Sequence, residues 1–253
     1  TGKPLGFGGS LIRPEATGYG LVYYTQEMLK ANGESFDGKT VVVSGAGNVA
    51  QYAVQKATAL GAKVISVSDS NGYIIDKDGI DFDLLVDVKV KRRARLTEYA
   101  AERASATYHE GSVWTYDGTF DIALPCATQN EIDGEAAKRL VAQGVFCVSE
   151  GANMPSNLDA IAVYKEHNLL YGPAKAANAG GVAVSALEMS QNSLRLSWTR
   201  EEVDTRLKDI MTNIFNTAKT TAENYNLGKD YLAGANIAAF ENVANAMIAQ
   251  GIV

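Results

Sequence analysis

Short apolar runs alternate with longer stretches in which apolar residues recur every three or four positions, and this alternation organises most of the chain. Residues 14–31 open with Pro14 and Glu15, carry Leu21, Tyr24, Met28 and Leu29 at helical spacing and stop at Asn32-Gly33, which predicts a helix. Val41-Val42-Val43 predicts a buried strand, and the apolar-periodic stretch from Ala50 predicts the helix after it. Ala62 to Ser68 reads as the second strand, ending at Asp69. Gly72 to Ile80 predicts a small hairpin divided at Asp78-Gly79, and a long helical pattern covers about residues 81–103. Residues 120–125, 145–149 and 169–171 read as further strands, with helices near 134–142 and 158–167 between them. From Val182 onward the pattern is helical, broken at Trp198-Thr199-Arg200 and around Leu227-Gly228, where Thr199 and Glu202 form a capping-box signature. This order predicts an α/β fold: a Rossmann-like, doubly wound, mostly parallel sheet with flanking helices and a helical C-terminal tail.

The junction of the first strand and its helix carries chemistry. Ser44-Gly45-Ala46-Gly47-Asn48-Val49-Ala50 is a GxGxxA turn in strand-turn-helix context, as a dinucleotide-binding turn requires. Gly45 permits the tight turn, Gly47 lets backbone approach a pyrophosphate, Ala50 allows close helix–strand packing, and the helix N–H groups face the anion. Asp69 ends the second strand about 20 residues on, where a carboxylate commonly binds the adenosine ribose. Residues 1–197 are therefore expected to form a dinucleotide-binding domain with an N-terminal helix, and 198–253 a helical extension of it.

Composition narrows the partners. The 253 residues, 46% hydrophobic and 21% charged, suffice for one large core. A net charge of −6 supplies no basic field for nucleic acid. The one dense basic run, Lys91-Arg92-Arg93-Ala94-Arg95, reads as a solvated helix face. Cys126 and Cys147 match neither a redox pair nor a zinc clip, which fits a reduced, cytoplasmic setting, and His109 and His167 stand apart without ligand-type neighbours, so no metal is expected. No segment reads as a membrane span or signal peptide.

Ligands of open α/β sheets bind beyond the carboxyl ends of the strands, and three polar clusters fall there: residues 126–130, 150–155 and 172–181. In the third, a helix starting near Asn178 places Asn178, Gly181, Val182 and Ser185 on one face, a strip suited to a small carboxylate ligand.

Five segments, 12–20, 44–50, 123–130, 150–155 and 176–182, together resemble the coenzyme domain of the hexameric glutamate dehydrogenases, and the likeness runs essentially end to end. Sibling dehydrogenases of leucine, phenylalanine and valine are similar more loosely. Ser185 favours an acidic substrate where an apolar residue would suit a branched or aromatic one. The resemblance implies oxidative deamination of L-glutamate to 2-oxoglutarate and ammonia with NAD or NADP. By motif it places Gly45, Gly47, Asn48 and Val49 at the pyrophosphate, Asp69, Ser70 and Asn71 at the adenosine ribose, and Asn153 at the nicotinamide ribose. Thr17 and Asn48 fall at the carboxamide with Arg13 nearby, Ala127 and Thr128 are further cofactor contacts, and Asn178, Val182 and Ser185 meet substrate. An acidic neighbour after the ribose-binding strand tends to mark NAD in this family. Here that neighbour is Ser70, so NADP or dual use stays open.

Family enzymes are much longer, and this chain begins where their second domain begins. The resemblance thus implies an isolated coenzyme domain that binds cofactor and lacks the N-terminal substrate domain, with its catalytic lysines and aspartate; no residue here is assigned a catalytic role, Lys175 included. A smaller enzyme with another amino-acid substrate and a noncatalytic binding or assembly module are the alternatives. Exposed apolar positions on the tail, among them Ile214, Phe215, Leu232, Ile237, Phe240 and Met247, predict weak self-association.

Overall fold

The computed structural model describes residues 1–251. The helix α1 (Ala16–Lys30) leads into β1 (Thr40–Val43), α2 (Asn48–Ala59), β2 (Lys63–Val64), β3 (Ser66–Ser68) and β4 (Gly72–Asp76). Next come α3 (Phe82–Val86), a π-helical turn (Asp87–Lys91), α4 (Leu96–Glu102), β5 (Ala106–Glu110) and a 3-10 turn (Val113–Thr115). The chain continues through β6 (Ile122–Leu124), α5 (Gly134–Ala142), β7 (Cys147–Ser149), α6 (Leu158–Glu166) and β8 (Leu170–Gly172). It closes with α7 (Ala174–Ala177), α8 (Gly180–Leu194), α9 (Arg200–Asn224) and α10 (Tyr231–Gln250).

Five strands form a parallel sheet in the order β2-β1-β6-β7-β8. Both faces are covered, which is why its strands read as unbroken apolar runs. Val41, Val43, Ile122 and Leu124 face one core, and Val42, Ala123, Val148 and Tyr171 face the other. From β1 the chain crosses to β2 on one side and later returns to β6 on the other, so the order in which strands are added reverses between β1 and β6 while the strands stay parallel. At such a switch point the connections part and leave a crevice beyond the strand ends.

Three local expectations are corrected. The predicted second strand divides at Ile65: β2 pairs with β1, while β3 turns into an antiparallel sheet with β4 and β5. The Ser66 side chain causes the break, since its hydroxyl accepts from Val43 N–H at 2.9 Å and donates to Val43 O at 2.9 Å, taking the place of the main-chain ladder. The hairpin at 72–80 is not turned at Asp78-Gly79; β4 pairs back to β3 through Asp69-Ser70-Asn71 and forward to β5, a strand absent from the sequence reading.

The long helix over 81–103 is in three pieces. Arg93 lies in the left-handed region at φ 52°, and the Asp69 carboxylate accepts from Leu96 N–H at 3.2 Å, capturing the start of α4 from 27 residues upstream. The basic run therefore folds around a corner instead of lining one helix face. Asp76, fully buried, braces the same region by accepting from Ser105, Arg103 and Tyr99 at 2.7, 2.6 and 2.9 Å.

The tail packs onto α1. Phe215 on α9 is buried edge-on against Tyr24, 5.5 Å between centroids, and against Tyr231 at the start of α10. The expectation of exposure is thus corrected for Phe215 and is only partly met at Ile214, Leu232 and Ile237, whereas Phe240, Val243 and Met247 on α10 are exposed. Thr199 and Glu202 form the capping box that opens α9. Where α1 crosses α8, a Cβ on Gly180 would sit 2.2 Å from Ala16 O, so glycine sets the separation there and brings the N-terminus of α8 to the groove.

Candidate functional site

The crevice at the switch point is a groove with two lobes that meet at Cys126, Ala127 and Thr128, of about 840 and 670 Å³. Its floor is the turn after β1. Gly45 sits at φ 82°, and a Cβ there would lie 2.9 Å from Cys126 O, so the chain can turn between β1 and β6 only with glycine. Gly47 faces open space. No side chain caps α2, so the N–H groups of its first turn point at the groove with the positive end of the helix dipole behind them. These are the features a diphosphate needs: free donors, no bulk at Gly47, and no carboxylate capping the helix. Asn48 does not reach across the groove, because its amide donates to Pro14 O and ties α2 to the start of α1.

Asp69, Ser70 and Asn71 form the β3–β4 turn that walls one lobe. The Asp69 carboxylate accepts from Asn71 N–H and Leu96 N–H at 3.0 and 3.2 Å and lies 3.6 Å from Lys89 Nζ and 3.9 Å from Arg95. Burial alone would raise its pKa, but the two backbone bonds and two cations outweigh that and hold it below the ordinary carboxylate value. Ser70 and Asn71 are exposed at the tip, and Arg95 donates to Ser70 Oγ at 2.7 Å. Lys89 and Arg95 both line this lobe; the sequence reading named no role for Lys89 and put Arg95 on a solvated helix face. The basic run was the signal for Arg95, hidden by the assumption of one continuous helix over 81–103.

At the other end Arg13, Thr17, Val49, Asn153, Asn178, Val182 and Ser185 line the second lobe. Arg13 is its one charged lining side chain among the described residues, and its Nε donates to Ser185 Oγ at 3.0 Å. Asn178, which closes α7 two residues before α8, donates to Asn153 Oδ1 at 2.8 Å and to the carbonyls of Gly151 and Ala152 at 3.3 Å, joining the α7–α8 junction to the loop after β7. Val182 is 71% exposed at the rim. Lys175 points away, bonded to Asn236 on α10 at 2.7 Å.

In the middle, Ala127 and Thr128 do not offer their N–H groups to the groove. Both donate to Glu131 Oε1, at 3.1 and 3.2 Å, while Trp114 Nε1 donates to Oε2 at 2.7 Å. Glu131 is a further residue missing from the sequence reading, although it directly follows the polar cluster 126–130. Cys126 and Cys147 are free thiols, both buried. No helix among the described residues is long and apolar enough to cross a membrane.

Comparison with known proteins converges on one group. Residues 8–251 match the sequence model described as Glutamate/Leucine/Phenylalanine/Valine dehydrogenase. The NADP-specific glutamate dehydrogenase of Giardia intestinalis is 52% identical over the whole chain, and the NAD(P)-specific enzyme of Xylanibacter ruminicola is 56% identical. The crystal structure of Plasmodium falciparum glutamate dehydrogenase superposes with a TM-score of 0.96 at 48% identity, with all of this chain covered. The chain spans 58%, 57% and 55% of these three proteins respectively.

Proposed function

This chain belongs to the Glutamate/Leucine/Phenylalanine/Valine dehydrogenase family, and from that premise we propose that it is the coenzyme-binding part of a glutamate dehydrogenase that uses NADP in preference to NAD. The observation that carries the reading is the two-lobed groove at the sheet's switch point, with the uncapped start of α2 at its centre and cations at both ends.

The diphosphate lies against the first turn of α2 at Gly45, Gly47, Asn48 and Val49. The adenosine end lies in the lobe of Asp69, Ser70, Asn71, Lys89 and Arg95. Each Asp69 oxygen accepts one backbone N–H and two cations lie within 4 Å of it, so Asp69 aims Lys89 and Arg95 at this corner and keeps a lone pair on each oxygen for a ribose hydroxyl. Two cations and the Ser70 hydroxyl at an exposed corner suit a 2′-phosphate. Ala127, Thr128 and Asn153 line the path to the other lobe.

There the bound nicotinamide supplies hydride acceptance, and the protein's part is placement. Thr17 flanks the ring, the Asn48 amide being engaged with Pro14 O, while Arg13 with Ser185 offers a charged, hydrogen-bonding end for the substrate's side-chain carboxylate. The Arg13–Ser185 bond favours an acidic side chain over an apolar one. Asn178 holds the loop after β7, and Val182 closes the rim by contact. No lysine or carboxylate lines this lobe among the described residues, so residues 1–253 alone bind nucleotide without turning over glutamate, and the acid–base groups belong to a substrate domain. We place the protein in the cytoplasm, in keeping with its two free thiols.

Calorimetric titration with NADP+ and NAD+, followed by a glutamate assay, tests this reading. Binding of both with NADP+ tighter, and no turnover, is the expected result; failure of either nucleotide to bind overturns it.

A further inference from the structure

The most unusual group in the groove is a carboxylate. A ligand carrying a diphosphate would lie along a wall that holds Glu131, yet no lysine, arginine or histidine nitrogen lies within 4.0 Å of that side chain among the described residues. Neutral donors hold it instead: Ala127 N–H, Thr128 N–H and the Trp114 indole. They come from two separate parts of the fold: the loop after β6 and the 3-10 turn after β5. Ser112 and Val113 of that last turn line the adenosine lobe, and Ala127 and Thr128 line both lobes.

We propose that Glu131 is a positioning residue whose ionised carboxylate clamps the loop after β6 to the adenosine-side wall at Trp114, so that the two lobes form one groove of fixed width. This rests on the reading of the groove as a dinucleotide site. Its logic is that hydrogen bonds to an ionised acceptor are roughly twice as strong as neutral ones. A neutral carboxyl or an amide in the same place has one good acceptor oxygen and must turn a donor toward N–H groups already there. The charge costs some repulsion from the ligand and gains a rigid wall.

Protonation releases the clamp. Burial pushes the Glu131 carboxyl above its ordinary value against the pull of the hydrogen bonds that hold it, so acidification neutralises it before exposed carboxylates. The titratable groups that face it are Cys126 on the loop after β6 and Tyr164 on α6, both pushed further up by its charge, with Asp69, Lys89 and Arg95 on the far wall of the lobe. None of these replaces it as an acceptor for Trp114.

Trp114 reports on the clamp directly. The chain has two tryptophans, and Trp198 stacks on Arg206 away from the groove, so a W198F background isolates the Trp114 emission. NAD+ is the probe, because it lacks the titrating 2′-phosphate. In that background E131Q is expected to weaken NAD+ binding about tenfold at neutral pH, the loss of charge-assisted bonds, and to shift Trp114 emission to the red. The parent should lose affinity on mild acidification with the same red shift, while E131Q stays flat. Equal or tighter NAD+ binding by E131Q, or an unchanged pH profile, overturns the proposal. W114F, which keeps an aromatic side chain and removes one donor, should lose part of the affinity and keep the pH step; wild-type affinity there also overturns it. If the parent binds no NAD+, the dinucleotide reading fails by itself. The emission against pH then decides the clamp alone: a shift in the parent absent from E131Q sustains it, and no shift refutes it.

Discussion

Arg95→Gln separates the two cofactors. Arg95 Nη1 lies 2.7 Å from Ser70 Oγ and 3.9 Å from the Asp69 carboxylate, and its side chain is 56% exposed. A phosphate oxygen that replaces it as the Ser70 partner would come within about 4 Å of the guanidinium, where a unit charge pair is worth about 1 kcal/mol in water and about 4 kcal/mol near a protein surface. Exposure puts Arg95 toward the watery limit, and a 2′-phosphate carries close to two charges. The loss is therefore about 2 kcal/mol, roughly 30-fold in the NADP+ dissociation constant. NAD+ has only a hydroxyl at this point and should bind within about twofold of wild type, with Asp69 partly released to accept from it. The assay is calorimetric titration of both nucleotides at two salt concentrations, with circular dichroism as a check on folding. The salt dependence of NADP+ binding should fall in the variant, because an exposed cation is the one most screened. Equal loss for both nucleotides, or no loss for NADP+, would falsify the placement of the phosphate at this corner.

Three further outcomes are expected. Gly47→Ala should leave thermal stability near wild type, since its Cβ meets nothing within 4 Å, yet weaken both nucleotides at least tenfold, whereas Gly45→Ala should also lower the melting temperature through its φ of 82° and its approach to Cys126 O. Asp76→Asn should cost about 3 kcal/mol in urea unfolding. Burial acts to raise the Asp76 pKa, but hydrogen bonds from Ser105, Arg103 and Tyr99 outweigh it and hold the pKa low, so its contribution is full at neutral pH and disappears as pH falls through the depressed value. A wild type that loses no more stability than the Asn variant on acidification would contradict this. Light scattering at high concentration should show weak self-association that Phe240→Glu with Met247→Glu abolishes, because these side chains are 70% and 67% exposed on one apolar stripe of α10; a clean monomer at every concentration would count against it.

What the sequence makes legible is what neighbours along the chain decide. The β1 turn is of this kind: Val41 to Val43, two glycines and Ala50 define a strand, a turn and a helix within ten residues, and the helix dipole follows from them. The Thr199–Glu202 cap is equally local. The strip of Asn178, Gly181, Val182 and Ser185 was readable from helical spacing, and the four residues do line one lobe.

The two features that shape the groove most are illegible for a single reason. Asp69 and Glu131 were to be read as a ribose acceptor and as nothing in particular, yet each carboxylate is occupied by backbone N–H groups, in one case 27 residues away at Leu96. That long-range bond ends the helix that periodicity predicted over 81–103, turns the chain at Arg93 and swings Arg95 to Ser70. Periodicity reports which face of an element is apolar, and it carries no information on which distant side chain will capture the element's first N–H. A charged residue whose lone pairs are engaged by the main chain acts on the ligand through the groups it places. In the proposed reading of this groove, Glu131 and Asp69 set geometry through the groups they hold, and Lys89, Arg95 and Arg13 are the cations placed to meet the ligand.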